Sequence, residues 1–151
     1  MGRRLAAARG TGGMMRDLAE RAEATQSVVD RFRVRPFGWA TAGTCIHLAR
    51  AQMRALGYRP PPIPRFRSAI GARRALMATG HADLAGLLDS MLPRIAPAAM
   101  WVGDLALMQG DGEFDAIVVS AGRLMAGYHS DELRRGVVNI EARDFIGAWR
   151  L

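Results

Sequence analysis

Hydrophobic positions in the first half of the chain recur at the spacing of α-helices. From Met15 to Pro36, apolar or small side chains fall at helical intervals, with acidic residues early and arginines late, as the helix dipole favours. These positions are Leu18, Ala22, Val29 and Phe32. A second helix is predicted over residues 44–56 and stops at Gly57. Its broad apolar face comprises Cys45, Leu48, Ala49, Met53 and Leu56.

A proline-rich segment follows the second predicted helix. The stretch GYRPPPIPRFRS holds four of the seven prolines, which force extended or polyproline geometry and cannot enter a sheet interior. We predict either an ordered crossing or a strap that docks a partner. The segments SAIGARRALMAT and ADLAGLLDSML then predict two short helices, separated at Gly80 and ended by Pro93.

After Pro93 the hydrophobic period changes to alternating or short continuous apolar runs, which are typical of antiparallel strands. The segments DLALMQ, AIVVS, RLMAGY and GVVNI predict four strands. The closing ARDFIGAWRL is predicted to be a short helix or cap that returns Phe145, Ile146 and Trp149 to the core. Helices followed by a strand meander indicate an α+β fold, with the helices packed on one face of a small antiparallel sheet.

Length and composition favour one domain. The chain has 151 residues, half of them hydrophobic, which is enough to bury a core over residues 14–151. Residues 1–13 are rich in glycine and arginine and predict a disordered basic arm, or an upstream extension if translation begins at Met14 or Met15. No apolar run approaches the roughly 20 residues that cross a bilayer, so no membrane span is expected.

Positive charge is concentrated in the first half of the chain. All 21 basic residues are arginines, and residues 1–75 hold 15 of them against four acidic residues. Such a surface could bind nucleic acid, an anionic polymer or an acidic protein, because guanidinium groups pair with phosphate and carboxylate alike. The few scattered aromatic residues disfavour nucleic-acid binding, and a solvated basic surface is the simpler interpretation.

Cys45, the only cysteine, is the first candidate for chemistry. Its predicted place at a helix N-terminus, after the small residues of TAGT, could lower the pKa of the thiol. Free cysteine also packs as a small hydrophobic residue, and the residues by themselves favour that inert role. One cysteine and three scattered histidines lack the spacing of a zinc site, and no phosphate loop or calcium loop is present, so no cofactor or metal is predicted.

A nucleophilic cysteine would need a proton acceptor nearby. His47 should point to another face of the helix, and His81 reads as a capping or surface residue. His129, at the end of the third predicted strand, could return across the sheet toward Cys45, or it could be an exposed loop residue. The carboxylates of GDGEFD offer an alternative, although a solvated hairpin turn is their commonest meaning. They are Asp111, Glu113 and Asp115.

Several separated motifs carry a resemblance over roughly residues 26–151. RPFGWATAGTCIHLA, FRSAIGARRAL, the Gly103–Asp104 pair and the closing AWR resemble those of an uncharacterised family of small proteins encoded in the tail-gene regions of bacteriophages and prophages. That family is similar, more distantly, to the NlpC-type cysteine peptidases of the papain-like clan, which cleave peptidoglycan peptides. The resemblance implies a papain-like fold with Cys45 at the nucleophile position.

The chain departs from the NlpC pattern at the other catalytic positions. Thr44 stands where an aspartate usually precedes the cysteine. The histidine position aligns with Phe114, or with Asp115 after a one-residue slip, and the third position falls near Ala126. A positioned base contributes about 10²- to 10⁴-fold to such reactions. The candidate catalytic set is therefore Cys45, Asp115 and His129, on a scaffold that resembles a degenerate peptidase.

Three functions are expected to compete. The first is a phage or prophage tail-associated structural or assembly protein, present in the bacterial cytoplasm during assembly and then in the particle tail, with tail proteins as its partners. The alternative is an active thiol peptidase or amidase that acts on peptidoglycan peptides during phage entry. Nucleic-acid binding through the basic half is the third and the least favoured.

Overall fold

The computed structural model describes residues 17–110, 114–129 and 134–151. The predicted arm over residues 1–13 and the carboxylates of Asp111 and Glu113 lie outside these ranges. Within them, the helices are α1 (Leu18–Arg33), α2 (Cys45–Ala55), α3 (Ala69–Ala78) and α4 (Leu84–Met91). The strands are β1 (Arg94–Ile95), β2 (Leu105–Met108), β3 (Ala116–Ser120), β4 (Met125–Gly127), β5 (Val138–Ile140) and β6 (Phe145–Trp149).

Helix α1 begins with a reciprocal cap. The Asp17 carboxylate accepts a hydrogen bond from the Glu20 backbone N–H at 2.8 Å, and the Glu20 carboxylate accepts one from the Asp17 N–H at 3.1 Å. Val29 and Phe32 are buried as predicted. The prediction was wrong for Leu18, which is 56% exposed, and for Ala22, which is also exposed. The N-terminal half of the buried face of α1 instead carries two polar side chains, Arg21 and Thr25.

The second, third and fourth helices follow the predicted boundaries closely. Side chains of Thr44, Ser68 and Asp83 cap their N-termini by accepting backbone N–H groups. Gly57 and Gly80 lie where the chain leaves α2 and α3, with φ of 96° and 93°, in the left-handed region that glycine adopts without strain. The apolar face of α2 is buried as predicted at Leu48, Ala49, Met53 and Leu56.

The strands form one antiparallel sheet in the order β1-β6-β2-β3-β4-β5. The four predicted strands are confirmed as β2 to β5. The prediction of a helix or cap at the end of the chain was wrong, because residues 145–149 form β6 between β1 and β2. Trp149 pairs with both Leu105 and Arg94 and is fully buried, whereas Ile146 is 44% exposed and does not join the core.

The protein is an α+β fold with its helices N-terminal to the sheet. Helix α2 packs against β3, α1 packs on α2, and α4 contacts β6. The main core lies between these helices and the sheet, whose inward side chains include Leu105, Ile117 and Trp149. The opposite face of the sheet carries a smaller buried cluster of Ala106, Val118, Met125 and Ala148. Helix α2, whose first residue is Cys45, therefore packs against a central strand of the sheet.

Asp104 ties the two ends of the described domain together. Its fully buried carboxylate accepts hydrogen bonds from Arg21 Nη2 at 2.8 Å and Arg150 Nε at 2.9 Å. It also accepts the backbone N–H groups of Trp101 at 2.8 Å and Leu151 at 3.0 Å. The closing AWR motif and the GD motif are thus parts of one buried hydrogen-bond network.

None of the helices within the described ranges has both the length and the apolar character needed to cross a bilayer.

Candidate functional site

Cys45 is the first residue of α2, as predicted from the turn that precedes it. The Thr44 hydroxyl caps the helix by accepting the backbone N–H groups of Ile46 at 3.2 Å and His47 at 3.4 Å. Before the cap, Gly38 and Gly43 exchange backbone hydrogen bonds of 2.9 and 3.2 Å. A Cβ on Gly43 would lie 2.5 Å from the Pro36 carbonyl oxygen, so this tight turn requires glycine.

The Cys45 side chain lines an open cavity of about 750 Å³. The cavity lies between the start of α2, the ends of β2 and β3, and the β4–β5 side of the sheet. Asp115 and His129 line the same cavity, so the structure brings all three predicted site residues to one place. Neither the strand pattern nor the spacing of these residues had shown that they meet.

The environment of Cys45 keeps its sulfur protonated. Burial raises the pKa of the thiol to about 11, and the nearby Asp115 carboxylate adds to the rise. Backbone hydrogen bonds at Ile117 and at Cys45 itself oppose it but do not overcome it. The thiol also lies 4.0 Å from the Asp115 carbonyl oxygen, as a weak donor. With this pKa, only about one thiol in ten thousand is ionised at pH 7. Activation by the helix N-terminus is therefore outweighed.

Asp115 comes directly before β3, and its side chain forms a hydrogen bond within the β2–β3 hairpin. Its Oδ1 lies 3.5 Å from the Gly110 backbone nitrogen, which donates a long hydrogen bond across the end of the β2–β3 hairpin. The negative charge of this carboxylate disfavours a thiolate at Cys45. This effect is the opposite of what a catalytic partner should do for a nucleophilic sulfur.

His129 is exposed and follows β4. The preceding residue, Tyr128, is buried and donates a hydrogen bond from its hydroxyl to the Arg35 carbonyl oxygen at 2.9 Å. Burial raises the pKa of Tyr128 to about 12; the positive charge of Arg35 lowers it and Cys45 adds to the rise. Tyr128 therefore stays a neutral phenol at physiological pH and anchors the wall of the cavity next to His129.

Phe114 and Ala126 are the residues that the resemblance to NlpC peptidases predicts at the positions of the base and the third catalytic residue. Phe114 is a half-buried aromatic side chain in the cavity wall, and Ala126 is fully buried on β4, where it pairs with Val119. Asp115, the one-residue alternative for the base position, has a carboxylate whose negative charge raises the pKa of Cys45. Phe114 and Asp115 therefore line the same cavity as Cys45.

Aromatic rings form much of the cavity wall, which the sequence analysis missed. The Phe37 ring centroid lies 5.2 Å from Trp39 and 5.6 Å from Tyr128, and Trp39 lies 5.7 Å from Phe114. The aromatic pair in the PFGW turn was the available signal, because ligand pockets are lined mainly by hydrophobic and aromatic side chains. The other two rings, Phe114 and Tyr128, lie just before β3 and just after β4 and could not be assigned to the site from sequence.

His47 points away from the sulfur, as predicted. Its Nδ1 lies 2.7 Å from Thr44 Oγ1, and its ring packs 5.7 Å from Phe66. The Thr44 oxygen already accepts two N–H groups, which favours donation of its hydroxyl proton to Nδ1 and the tautomer with the imidazole proton on Nε2. Burial, together with the positive charges of Arg35 and Arg50, lowers the pKa of His47. His81 is half-buried beside the cap of α4.

Within the described ranges, no three His, Cys, Asp or Glu side chains are grouped so that they could hold a metal ion.

Comparison with family models matches residues 16–151 to the family described as Domain of unknown function (DUF6950). The chain belongs to this family. The match extends from just before α1 to the end of the chain, so the whole described domain, including the Cys45 cavity and the Asp104 network, falls within it. No curated protein and no solved structure matches the chain.

Proposed function

We propose that this protein is a binding component of a bacteriophage or prophage tail, built on a cysteine-peptidase-like scaffold whose nucleophile has lost its activation. The observation that carries the non-catalytic part is the Cys45 thiol, whose pKa is raised to about 11 beside the Asp115 carboxylate. A cysteine hydrolase needs the opposite shift.

The cavity suits binding better than bond cleavage. Four aromatic rings, together with Ile46, Met108 and Ile140, offer apolar surface for a side chain of a partner protein. Where the related peptidases place a base, this chain has Phe114 or Asp115. A positioned base is worth about 10²- to 10⁴-fold in rate, so its replacement would leave a poor hydrolase.

The assignment to a phage tail rests on the resemblance of separated motifs. RPFGWATAGTCIHLA forms the Cys45 turn, and the GD and AWR motifs meet in the Asp104 network. On this proposal the partners are tail proteins, and the protein passes from the bacterial cytoplasm into the particle tail during assembly.

Mass spectrometry of purified particles tests the proposal. We expect peptides of this chain in phage or phage-like particles, or in their assembly intermediates, from an induced host. Deletion of its gene should leave particles without complete tails, and the Cys45→Ala variant should restore them. Consistent absence of the chain from both particles and intermediates would contradict the tail assignment.

An active thiol peptidase or amidase acting on peptidoglycan peptides is the second candidate. One observation favours it: Cys45 at a helix N-terminus shares a cavity with Asp115 and His129. Iodoacetamide labelling separates the two proposals, because an activated thiol alkylates quickly at pH 7. We expect slow labelling of the native protein at pH 7, fast labelling after denaturation, and no release of products from muropeptides. Fast native labelling would favour the enzyme.

A further inference from the structure

We infer that a second cavity, between α1 and α2, binds an acidic peptide segment of a partner protein. The cavity has a volume of about 860 Å³. Four arginines line it, Arg31 and Arg35 from the end of α1 and the residues after it, and Arg50 and Arg54 from α2. No acidic side chain from the described parts of the chain lines it. This inference does not depend on the tail assignment.

The arginines are spaced as two like-charged pairs. Arg50 and Arg54 are four residues apart on α2, a spacing at which like charges destabilise a helix, and Arg35 follows the end of α1 four residues after Arg31. None of the four forms a salt bridge with a carboxylate among residues 17–110, 114–129 and 134–151. The fold therefore tolerates a concentrated positive charge that its own described residues do not neutralise. Such a field attracts an anionic partner.

Two of the guanidinium groups are held in position before any ligand arrives. Arg35 Nη1 donates to the Ala42 carbonyl oxygen at 3.2 Å, and its guanidinium lies 4.4 Å from the Phe32 ring centroid. Arg50 Nε donates to the Pro61 carbonyl oxygen at 3.1 Å. Each of these side chains uses one N–H in these hydrogen bonds and keeps the others for a ligand. Preorganisation lowers the entropy lost on binding.

The other two arginines, Arg31 and Arg54, are exposed and extend the positive surface at the same cavity. His47 also lines this cavity; burial lowers the pKa of its imidazole, and the positive charges of Arg35 and Arg50 lower it further.

The remaining lining favours a peptide over a nucleic acid. Between the arginines, the cavity is lined by small aliphatic side chains, including Ala24, Val28, Ala51 and Ala55. Phe32 is only 2% exposed, so it offers no free face for stacking a base. Guanidinium groups match carboxylates in bidentate geometry. A helical segment with glutamates on one side and small apolar residues beside them fits both surfaces.

Fluorescence anisotropy with a labelled peptide tests this inference. The probe is an alanine-based helical peptide with four glutamates at i,i+4 spacing, measured at low and at high NaCl concentration. We expect Arg31→Gln/Arg54→Gln to weaken binding about tenfold, which corresponds to about 1.4 kcal/mol. These two side chains hold neither the proline segment nor the turn before Cys45, so the fold should be kept. Circular dichroism melting checks that it is.

The matched control is Arg74→Gln/Arg123→Gln, which removes the same charge at exposed positions away from the cavity. It should change peptide affinity less than about twofold, as expected for distant surface charges. Equal losses in the two double variants would overturn the inference, because binding would then follow overall charge.

Two further measurements test whether the cavity prefers a nucleic acid or free phosphate to the peptide. A single-stranded DNA 12-mer that binds more tightly than the peptide, or millimolar inorganic phosphate that displaces the peptide fully, would also overturn it. If the cavity variant fails to fold, hydrogen exchange of the wild-type protein with the peptide decides. Protection confined to residues 24–35 and 47–55 supports the inference, and protection elsewhere contradicts it.

Discussion

Arg21 Nη2 donates a hydrogen bond to Asp104 Oδ1 at 2.8 Å, and both side chains are at least 96% buried. The same guanidinium donates from Nε to the Val102 carbonyl oxygen at 3.0 Å and from Nη1 to the Leu151 main-chain oxygen at 2.7 Å. Residues 83 positions apart are thus joined in the interior, where an unpaired charge is costly.

Removal of this guanidinium should destabilise the fold strongly. Arg21→Met keeps much of the side-chain volume but leaves Asp104 without one of its two arginine partners. We expect a loss of about 3–5 kcal/mol in the free energy of unfolding, measured by urea titration. The control is Arg143→Met, which breaks an exposed ion pair with Glu141 and should cost less than about 1 kcal/mol. Equal effects of the two substitutions would contradict a structural role for the buried pair.

A second prediction concerns alkaline pH. The pKa of Cys45 is higher in the folded protein, about 11, than in an unfolded chain, so the native state holds more protons between roughly pH 9 and 11. Stability should therefore fall as pH rises through this window. Cys45→Ala should lose less stability over the same interval, when urea midpoints are compared at pH 8, 9 and 10. Parallel curves for the two proteins would mean that the thiol is not buried as described.

Adding one methyl group to the turn before Cys45 should lower the stability of the protein markedly. Gly43→Ala would place its Cβ 2.5 Å from the Pro36 carbonyl oxygen, which cannot move without shifting the turn. We expect it to destabilise the protein by about 1–3 kcal/mol and to speed alkylation of Cys45. Gly71→Ala is the matched control, because its Cβ would lie 3.3 Å from the Ser68 hydroxyl at the start of α3. That change should be close to neutral or slightly stabilising.

Core and surface leucines should differ sharply in cost. Leu48 is fully buried on α2, and Leu48→Ala should lower the free energy of unfolding by about 2–5 kcal/mol. Leu18 lies at the exposed start of α1, so Leu18→Ala should change it by less than about 0.5 kcal/mol. Thermal melts compare the two variants, and the Leu18 variant tests the corrected buried face of α1. A large loss of stability for Leu18→Ala would contradict the exposure of Leu18 and support the buried face that the hydrophobic periodicity predicted.

The sequence by itself determined the local elements. Polar caps, the glycines at the ends of α2 and α3, and apolar periodicity predicted the helices, because these signals act within a few residues. Alternating apolar residues predicted β2 to β5 for the same reason. The place of Cys45 at a helix start followed from its own neighbours, TAGT before it and an apolar helical face after it.

Only the tertiary structure decided what depends on distant residues. Arg21 and Thr25 replace Leu18 and Ala22 on the buried face of α1, since Arg21 is held by a carboxylate that lies far along the chain. Residues 145–149 form a strand because β1 and β2 offer backbone partners on both sides. The pKa of Cys45 likewise follows from burial against β3 and from the charge of Asp115, both contributed by remote segments. Local sequence carries no information on desolvation and charge from distant segments. It therefore predicted that Cys45 lies at a helix start but not that its thiol stays protonated.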